Sequence, residues 1–161
     1  MARIYFANAL FSEAELDFNK KVVAAIREQT KYSVYLPQEN FAINDKTQCA
    51  DSLKIYEADR NELDQCDLLV AVLDGLTIDN GVCTEIGYFA ALKKPIIGLY
   101  TDSRRMYNWN DEQAKTQLLM QPCESQYAYV NLFVVGAIKA NGSIATNIPE
   151  LIQKINAHKH D

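Results

Sequence analysis

The segment from residue 74 to residue 91 has the residue types and spacing best suited to chemistry. The pattern after Asp79 predicts that a helix begins near 79–81, which places Glu85 about one turn inside it. The positive field of a helix N-terminus favours an ionised carboxylate at that point. Gly81 and Gly87 flank the glutamate. Because each interior glycine costs a helix about 1 kcal/mol, the pair indicates that a ligand approaches closely.

The same spacing also has a purely structural interpretation. Asp79 would be the N-cap of the helix, and Glu85 an ordinary glutamate of its first turns. Gly87 would then let the helix pack closely on a sheet. Spacing alone leaves both interpretations open.

The elements that must position this segment alternate between short β-rich runs and longer amphipathic runs. This alternation predicts a single α/β domain over residues 1–161, with a parallel sheet of about five strands and helices on both faces. The predicted strands are 3–7, 33–36, 67–73, 95–100 and about 132–140. Four helices are predicted. The first begins at Ser12 with a capping box to Glu15, and the second ends near 65. The third covers 81–93, and the last covers about 148–157.

Two further stretches carry specific expectations. The second helix follows a polar loop over about 38–48 and should bury Leu53, Tyr56 and Leu63. The polar segment 101–129 is predicted to be a partly helical excursion, serving as a lid or a subunit contact.

Ligands in open parallel sheets bind outside the carboxyl ends of the strands. The side chains at that edge are mostly acids and amides: Asn8, Phe11, Gln38, Asn40, Asp74, Asp79, Asn80, Thr101 and Asp102. No glycine-rich turn follows the first strand, and neither G-x-G-x-x-G nor G-K-[ST] occurs. The sequence therefore predicts no dedicated site for a nucleotide phosphate.

Composition excludes several classes of partner. Sixteen Lys and Arg against 21 Asp and Glu give a net charge of −5, without a basic run, which disfavours nucleic acid. Apolar stretches such as 68–73 are far shorter than the roughly 20 residues that cross a bilayer, so no membrane partner is expected. The N-terminus lacks the apolar segment of a secretory signal, and a cytoplasmic location is expected. The four cysteines form no C-x-x-C pair, so no metal site is predicted.

The chain resembles the nucleoside 2-deoxyribosyltransferase family over most of its length. The motifs that carry the resemblance are Ile4-Tyr5-Phe6-Ala7 with Phe11-Ser12, Asp59 ahead of Cys66-Asp67, Asp79-Asn80-Gly81, Thr84-Glu85-Ile86-Gly87-Tyr88, and Asn131-Leu132. Their order and spacing together are specific. The resemblance implies a flavodoxin-like (Rossmann-like) fold, no cofactor, and homodimers or rings of dimers. It also implies transfer of 2-deoxyribose between the nucleobases of 2′-deoxynucleosides.

The resemblance assigns catalytic roles to three residues. Glu85 matches the nucleophile that attacks C1′ and holds the sugar as a covalent ester, so that two inversions retain the β configuration. Asp79 matches the carboxylate that exchanges a proton with the base. Tyr5 matches a tyrosine that orients the nucleophile, although a strand tyrosine could equally be packed in the core.

Five more residues match substrate contacts. Asp59 corresponds to a pocket acid that binds either a sugar hydroxyl or the base, Phe11 would stack on the base, and Gln38 lies in a loop that contacts the base. Asn131 matches an asparagine that a neighbouring subunit inserts to bind the sugar 5′-hydroxyl, with Phe133 close behind it. The active site would then be complete only in an oligomer.

One departure and two alternatives remain. Some relatives complete the pocket with the carboxylate of a C-terminal tyrosine, whereas this chain ends Ala157-His158-Lys159-His160-Asp161, which leaves the base range open. A 2′-deoxynucleoside 5′-monophosphate N-hydrolase would use the same glutamate with water as acceptor, but requires a phosphate cradle. The other alternative is a non-catalytic flavodoxin-like module, either a signalling receiver or a nucleotide sensor. Asp74 fits the phosphorylatable aspartate of a receiver, but Asn8-Ala9 lacks its paired acids.

Overall fold

The computed structural model of the protein describes residues 2–40, 49, 51–103, 113 and 130–158. The strands in this part of the chain are β1 (Arg3–Ala7), β2 (Ser33–Tyr35), β3 (Leu68–Val72), β4 (Ile96–Leu99) and β5 (Gly142–Ala145). The helices are α1 (Glu13–Gln29), α2 (Ser52–Gln65), α3 (Asn80–Ala91), α4 (Leu132–Asn141) and α5 (Ile148–Ala157), with a 3-10 turn over Pro37–Glu39.

The strands form one parallel sheet in the order β2-β1-β3-β4-β5, which confirms the predicted α/β fold and its flavodoxin-like strand order. The order reverses between β1 and β3, where Tyr5 pairs with Leu69. Ligands of doubly wound sheets bind at such a switch point. The segments that follow β1 and β3 are therefore the ones that matter for function.

Successive side chains of each strand point to opposite faces of the sheet, and each face has its own buried layer. Ile4 and Phe6 of β1 face one layer, which α1 and α5 cover. Tyr5 and Ala7 face the other layer, which α2, α3 and α4 cover. All of β3 is buried, as its unbroken apolar sequence predicts for a central strand.

The predicted start of α1 is confirmed. Ser12 is the N-cap, and its Oγ accepts a hydrogen bond from the Glu15 amide at 3.3 Å. The Glu15 carboxylate in turn accepts from the backbone amides of Ser12 at 2.7 Å and Phe11 at 3.0 Å. This capping box anchors the end of the loop that joins β1 to α1.

The predicted fifth strand over about 132–140 is wrong, because this stretch forms helix α4 and the strand follows it at Gly142–Ala145. Periodicity does not distinguish a short apolar run in a strand from one in a buried helix. The helix begins at an N-cap: the Asn131 side chain accepts hydrogen bonds from the backbone amides of Phe133 and Val134.

The expected burial of α2 is also only partly correct. Leu63 is buried, but Leu53 is 64% exposed and Tyr56 is 57% exposed. Leu63 lies near the end of α2 and joins the buried layer around Tyr5, whereas Leu53 and Tyr56 lie earlier in the helix and outside that layer. Across the described residues, no helix combines the length and apolarity needed to cross a membrane. The predicted excursion over 101–129 falls outside the described residues except for 101–103 and 113.

Candidate active site

A hydrogen bond between β1 and α3 forms the centre of the site. The Tyr5 hydroxyl donates to Glu85 Oε1 at 2.6 Å, although the two residues are 80 positions apart in the chain. Tyr5 is fully buried and its ring contacts that of Tyr35, with the centroids 5.2 Å apart. The two interpretations of Tyr5 are therefore compatible: the residue is packed in the core, and its hydroxyl orients the Glu85 carboxylate.

A cavity of about 300 Å³ opens beside this pair, at the lower end of the range for small-molecule sites. Three carboxylates lie in its wall: Asp59, Asp79 and Glu85. The other lining residues are mostly apolar: Asn8, Ala9, Leu10, Phe11, Pro37, Ile55, Gly81 and Val82. This combination can hold a flat, partly apolar molecule and exchange protons with it.

Burial raises the pKa of Glu85 to about 7. The hydrogen bond from Tyr5 opposes the shift, while the negative charges of Asp59 and Asp79 add to it. The sequence predicted the reverse, a carboxylate kept ionised by the helix N-terminus. Desolvation and like charge are larger effects here. Glu85 therefore exists in both protonation states near neutral pH, and burial also raises the pKa of its partner Tyr5, which stays a hydrogen-bond donor.

The stability of the fold depends on pH through Glu85. In the unfolded chain this group ionises near 4.5, whereas in the folded protein it ionises at about 7. The folded state therefore holds the additional proton between these values, and the free energy of unfolding falls as the pH rises across that window. At about 1.4 kcal/mol per pKa unit, the loss is up to about 3 kcal/mol.

We expect Glu85→Gln to remove this loss, because the amide does not ionise. Urea unfolding of both proteins at about pH 4 and about pH 8 measures the effect, and the variant should gain up to about 3 kcal/mol on the wild type between them. Comparing the two proteins cancels the titrations they share, such as that of Glu15, whose lowered pKa acts in the opposite direction. A stability difference that is the same at both pH values would contradict this account.

Asp79 is both an N-cap and a wall of the cavity. Its Oδ2 accepts hydrogen bonds from the backbone amides of Gly81 at 2.8 Å and Val82 at 3.2 Å. A Cβ atom at position 81 would lie 2.9 Å from that oxygen, so the glycine leaves room for the carboxylate. At Gly87 an added Cβ would meet no described atom within 4 Å. The close neighbour of Gly81 is thus the Asp79 carboxylate rather than a ligand, and the ligand approach inferred from the two glycines stays a prediction.

Asp59 brings an unpaired acceptor to the site. Its Oδ1 is buried and has no hydrogen-bond partner among the described residues. Burial raises the pKa of this carboxyl group, and the nearby Tyr5 hydroxyl opposes that shift. A second cavity of about 200 Å³ lies between α2 and α3 and shares Asp59, Gly81 and Glu85 with the first. Glu85 can therefore be reached from two sides. A buried acceptor without a partner is satisfied when a ligand supplies an O–H or N–H.

Phe11 and Gln38, both predicted base contacts, are placed differently. Phe11 lines the cavity and is 73% exposed, so its ring is available for stacking. Gln38 is absent from the lining, because α1 holds both ends of its carboxamide. Its Nε2 donates to the Leu16 carbonyl at 3.1 Å, and its Oε1 accepts from Asn19 at 2.9 Å. A base contact by Gln38 stays a prediction that this geometry does not support.

Sequence comparison decides the family. The sequence model of the nucleoside 2-deoxyribosyltransferase family matches residues 4–140. This chain belongs to that family. The protein is thus a nucleoside deoxyribosyltransferase-like enzyme, and the predicted family is confirmed.

Solved structures agree with the family fold. A conserved protein from Enterococcus faecalis is 46% identical with a TM-score of 0.86, over 96% of this chain and 97% of that one. A 2-deoxyribosyltransferase from Leishmania mexicana is 20% identical with a TM-score of 0.57, over 83% and 85%. A CMP N-glycosidase from Clostridium botulinum is 20% identical with a TM-score of 0.56, over 95% and 96%. The last two resemble this chain equally well, so the fold does not separate transfer from hydrolysis.

In this deoxyribosyltransferase family member, Asn131 and Phe133 lie apart from the cavity that contains Glu85. Both are on the surface at the start of α4, where Phe133 is 87% exposed and the adjacent Leu132 is 74% exposed. Asn131 caps the helix through its Oδ1. Within one chain these residues do not reach the nucleophile, and their predicted contribution to a neighbouring subunit stays a prediction.

Sequence reasoning missed one side chain beside the site, Asn19, and placed Asp74 at the edge of the sheet without its structural role. Asn19 is 1% exposed, a buried polar residue on α1. Its position on the same helical face as Val22, Val23 and Ile26 was the available signal. Asp74 accepts hydrogen bonds from the Thr101 amide and hydroxyl and from the Asp102 amide, so it joins the ends of β3 and β4.

Within the described residues, no group of three His, Cys, Asp or Glu side chains is arranged to hold a metal ion.

Proposed function

We propose that the protein is a nucleoside 2-deoxyribosyltransferase, which moves 2-deoxyribose from the base of one 2′-deoxynucleoside to another nucleobase. The observation that carries the proposal is the Glu85 carboxylate, bound by the Tyr5 hydroxyl at 2.6 Å in the wall of an acidic cavity. Family membership supports the reaction class. The exposed ring of Phe11 in the same wall supports a planar base as ligand.

In the first half-reaction, Glu85 displaces the base. Tyr5 occupies Oε1, so Oε2 is the oxygen that attacks C1′. The C1′–N bond breaks with its electron pair going to the base nitrogen, and Asp79 supplies the proton that the leaving base takes up. The product is a deoxyribosyl ester of Glu85 with inverted configuration at C1′. A 2-deoxy sugar lacks the electron-withdrawing 2′-hydroxyl, which makes its oxocarbenium-like transition state easier to reach.

The second half-reaction runs the same steps in reverse with a different base. The nitrogen of the incoming base attacks C1′ and gives its proton to Asp79, while the C1′–O bond breaks and restores the Glu85 carboxylate. A second inversion returns the β configuration. Asp59 accepts a hydrogen bond from a sugar hydroxyl or from the base; its buried Oδ1, which has no partner in the described part of the chain, supports this role.

Hydrolysis of a 2′-deoxynucleoside 5′-monophosphate is the second candidate, and one side chain favours it. Arg60 lines the smaller cavity beside Glu85, and its Nε is buried without a hydrogen-bond partner among the described residues. A guanidinium at that point could receive a phosphate. Against this, the described lining of the larger cavity contains three carboxylates and neither Lys nor Arg. Negative charge at this density repels a phosphate, so transfer between nucleosides is preferred.

An exchange assay separates the two candidates. The purified protein is incubated with thymidine or deoxyinosine plus free adenine or cytosine, with each deoxynucleoside alone, and with the corresponding 5′-monophosphate. A transferase forms new β-deoxynucleoside only with acceptor base, faster than free 2-deoxyribose accumulates. Free sugar phosphate from the monophosphate, without exchange, would support the hydrolase instead. No product from any substrate would contradict both.

We further propose a homo-oligomer in which Asn131 and Phe133 of one subunit complete the site of its neighbour. Subunit mixing tests this. Asn131→Ser keeps a capping side chain but loses the amide, and should weaken substrate binding by about 1–3 kcal/mol. Co-expression with Glu85→Gln creates mixed dimers with one site free of both substitutions. Activity should then return in about a quarter of the sites at random pairing.

The matched control pairs two substitutions from the same site. Glu85→Gln mixed with Asp79→Asn leaves every site with one defect and should recover no activity. If the Asn131 mixture behaves like this control, Asn131 does not act in a neighbouring site.

A further inference from the structure

Asn19 occupies a position that normally belongs to the core. It lies on the buried face of α1, and its side chain is 1% exposed. A carboxamide there is costly to bury unless its hydrogen-bonding groups are paired. The other buried side chains of this face have no polar atoms and so carry no such cost: Val22, Val23 and Ile26. Packing therefore does not explain an asparagine at this point.

The Asn19 carboxamide is paired with three separate groups. Its Nδ2 donates to the Ala9 carbonyl at 3.0 Å and to Gln38 Oε1 at 2.9 Å. Its Oδ1 accepts a hydrogen bond from Asn8 Nδ2 at 2.7 Å. Gln38 is anchored in turn, because its Nε2 donates to the Leu16 carbonyl at 3.1 Å. One buried side chain thus joins the loop after β1 to the turn after β2.

Both joined segments form one wall of the cavity. Residues 8–11 and Pro37 line it on this side, while Asp79, Gly81, Val82 and Glu85 line it from α3. Phe11, the aromatic ring available for a base, follows Ala9 by two residues in the same wall, and Glu15 accepts a hydrogen bond from its amide. Asn19 itself is absent from the lining. It can affect a ligand only through the wall that it positions.

We propose that Asn19 is a positioning residue that aligns the base-binding wall and thereby sets the balance between transfer and hydrolysis. The inference rests on the proposed transferase activity. An acceptor base must be held by this wall before its nitrogen can attack the glycosyl-enzyme. A water molecule that attacks the same ester needs no such wall. Loss of alignment should therefore slow the attack by the base and leave the attack by water unchanged, because small misplacements of a reactant lower its rate steeply.

The experiment measures how fast the glycosyl-enzyme of Asn19→Leu passes its sugar to an acceptor base and to water. Leucine is similar in size to asparagine but removes the hydrogen bonds to the Ala9 carbonyl, Gln38 Oε1 and Asn8 Nδ2. The KM for the acceptor base should rise about tenfold, because a wall that is no longer aligned holds the base less well. With saturating deoxynucleoside alone, and attack of water on the ester as the slow step, the kcat for hydrolysis should stay near the wild-type value. The ratio of transfer to hydrolysis at low acceptor concentration should then fall by a similar factor.

Two further variants make the result decisive. Asn156→Leu removes a hydrogen bond from Asn156 Nδ2 to the Gln29 carbonyl, far from the cavity, and should leave both rates unchanged. Asn19→Asp keeps the side-chain size and the acceptor for Asn8, and replaces Asn19→Leu if that protein does not fold. Equal loss of transfer and hydrolysis, or an unchanged ratio, would overturn the inference and leave Asn19 a structural residue. Absence of exchange in the wild type would instead contradict the transferase proposal itself.

Discussion

Glu85→Gln is expected to abolish exchange, lowering kcat by about 10⁴-fold or more, the scale on which loss of a covalent nucleophile acts. Glutamine has the same size and can still accept the hydrogen bond that Tyr5 donates at 2.6 Å. It has no anionic oxygen to attack C1′. The variant therefore removes the chemistry while it preserves the contact between β1 and α3.

The fold of this variant should be intact, because an uncharged side chain suits a site where burial raises the pKa of the native carboxyl group to about 7. The measurement is the initial rate of exchange beside an unfolding curve of the same preparation. Glu57→Gln makes the same chemical change at an exposed position of α2 and should retain full activity. A Glu85→Gln protein that keeps a substantial fraction of the exchange rate would contradict the role of Glu85 as nucleophile.

Asp79→Asn is expected to lower kcat by about 10²- to 10⁴-fold, the usual contribution of a general acid or base. The native carboxylate also caps α3 through the amides of Gly81 and Val82, so its catalytic and structural roles must be separated. Asparagine is as good an N-cap as aspartate, so this variant loses the proton exchange and keeps the cap.

Asp79→Ala provides the comparison, because it loses both roles. It should show the same loss of kcat and, in addition, about 1 kcal/mol lower stability. An aryl 2-deoxyriboside whose leaving group needs no proton offers a second control: its cleavage should be much less sensitive to Asp79→Asn than that of thymidine. Equal sensitivity, or a loss of rate that follows stability, would leave Asp79 with only its role as an N-cap.

Much of the fold follows from local pattern. The capping box from Ser12 to Glu15, the fully buried run of β3 and the N-cap at Asp79 each correspond to a local rule, and each is confirmed. The error at 132–140 has a physical reason: a short apolar run that contains Val134, Val135 and Ile138 suits a strand or a helix, and in the structure it forms a helix that Asn131 caps. The exposure of Leu53 and Tyr56 depends on where α2 meets the sheet, which local periodicity does not contain.

The candidate site was also predictable only in part from local sequence pattern. Spacing alone placed Glu85 and Asp79 together on one helix, but left the structural interpretation open. The contact between Tyr5 and Glu85 spans 80 positions and depends on the strand order, so it was available only through the resemblance. The raised pKa of Glu85 also comes from tertiary burial, which outweighs the local field of the helix. Asn19 was overlooked because its partners lie in two loops.

The covalent intermediate is the central claim, and trapping it tests the claim most directly. The protein is quenched in acid during turnover with a deoxynucleoside alone, and its intact mass and peptides are measured. A mass increase equal to one deoxyribosyl group should appear on the peptide that contains Glu85, disappear when acceptor base is added, and be absent from Glu85→Gln. Exchange that proceeds with no adduct, or an adduct on a different residue, would contradict the account.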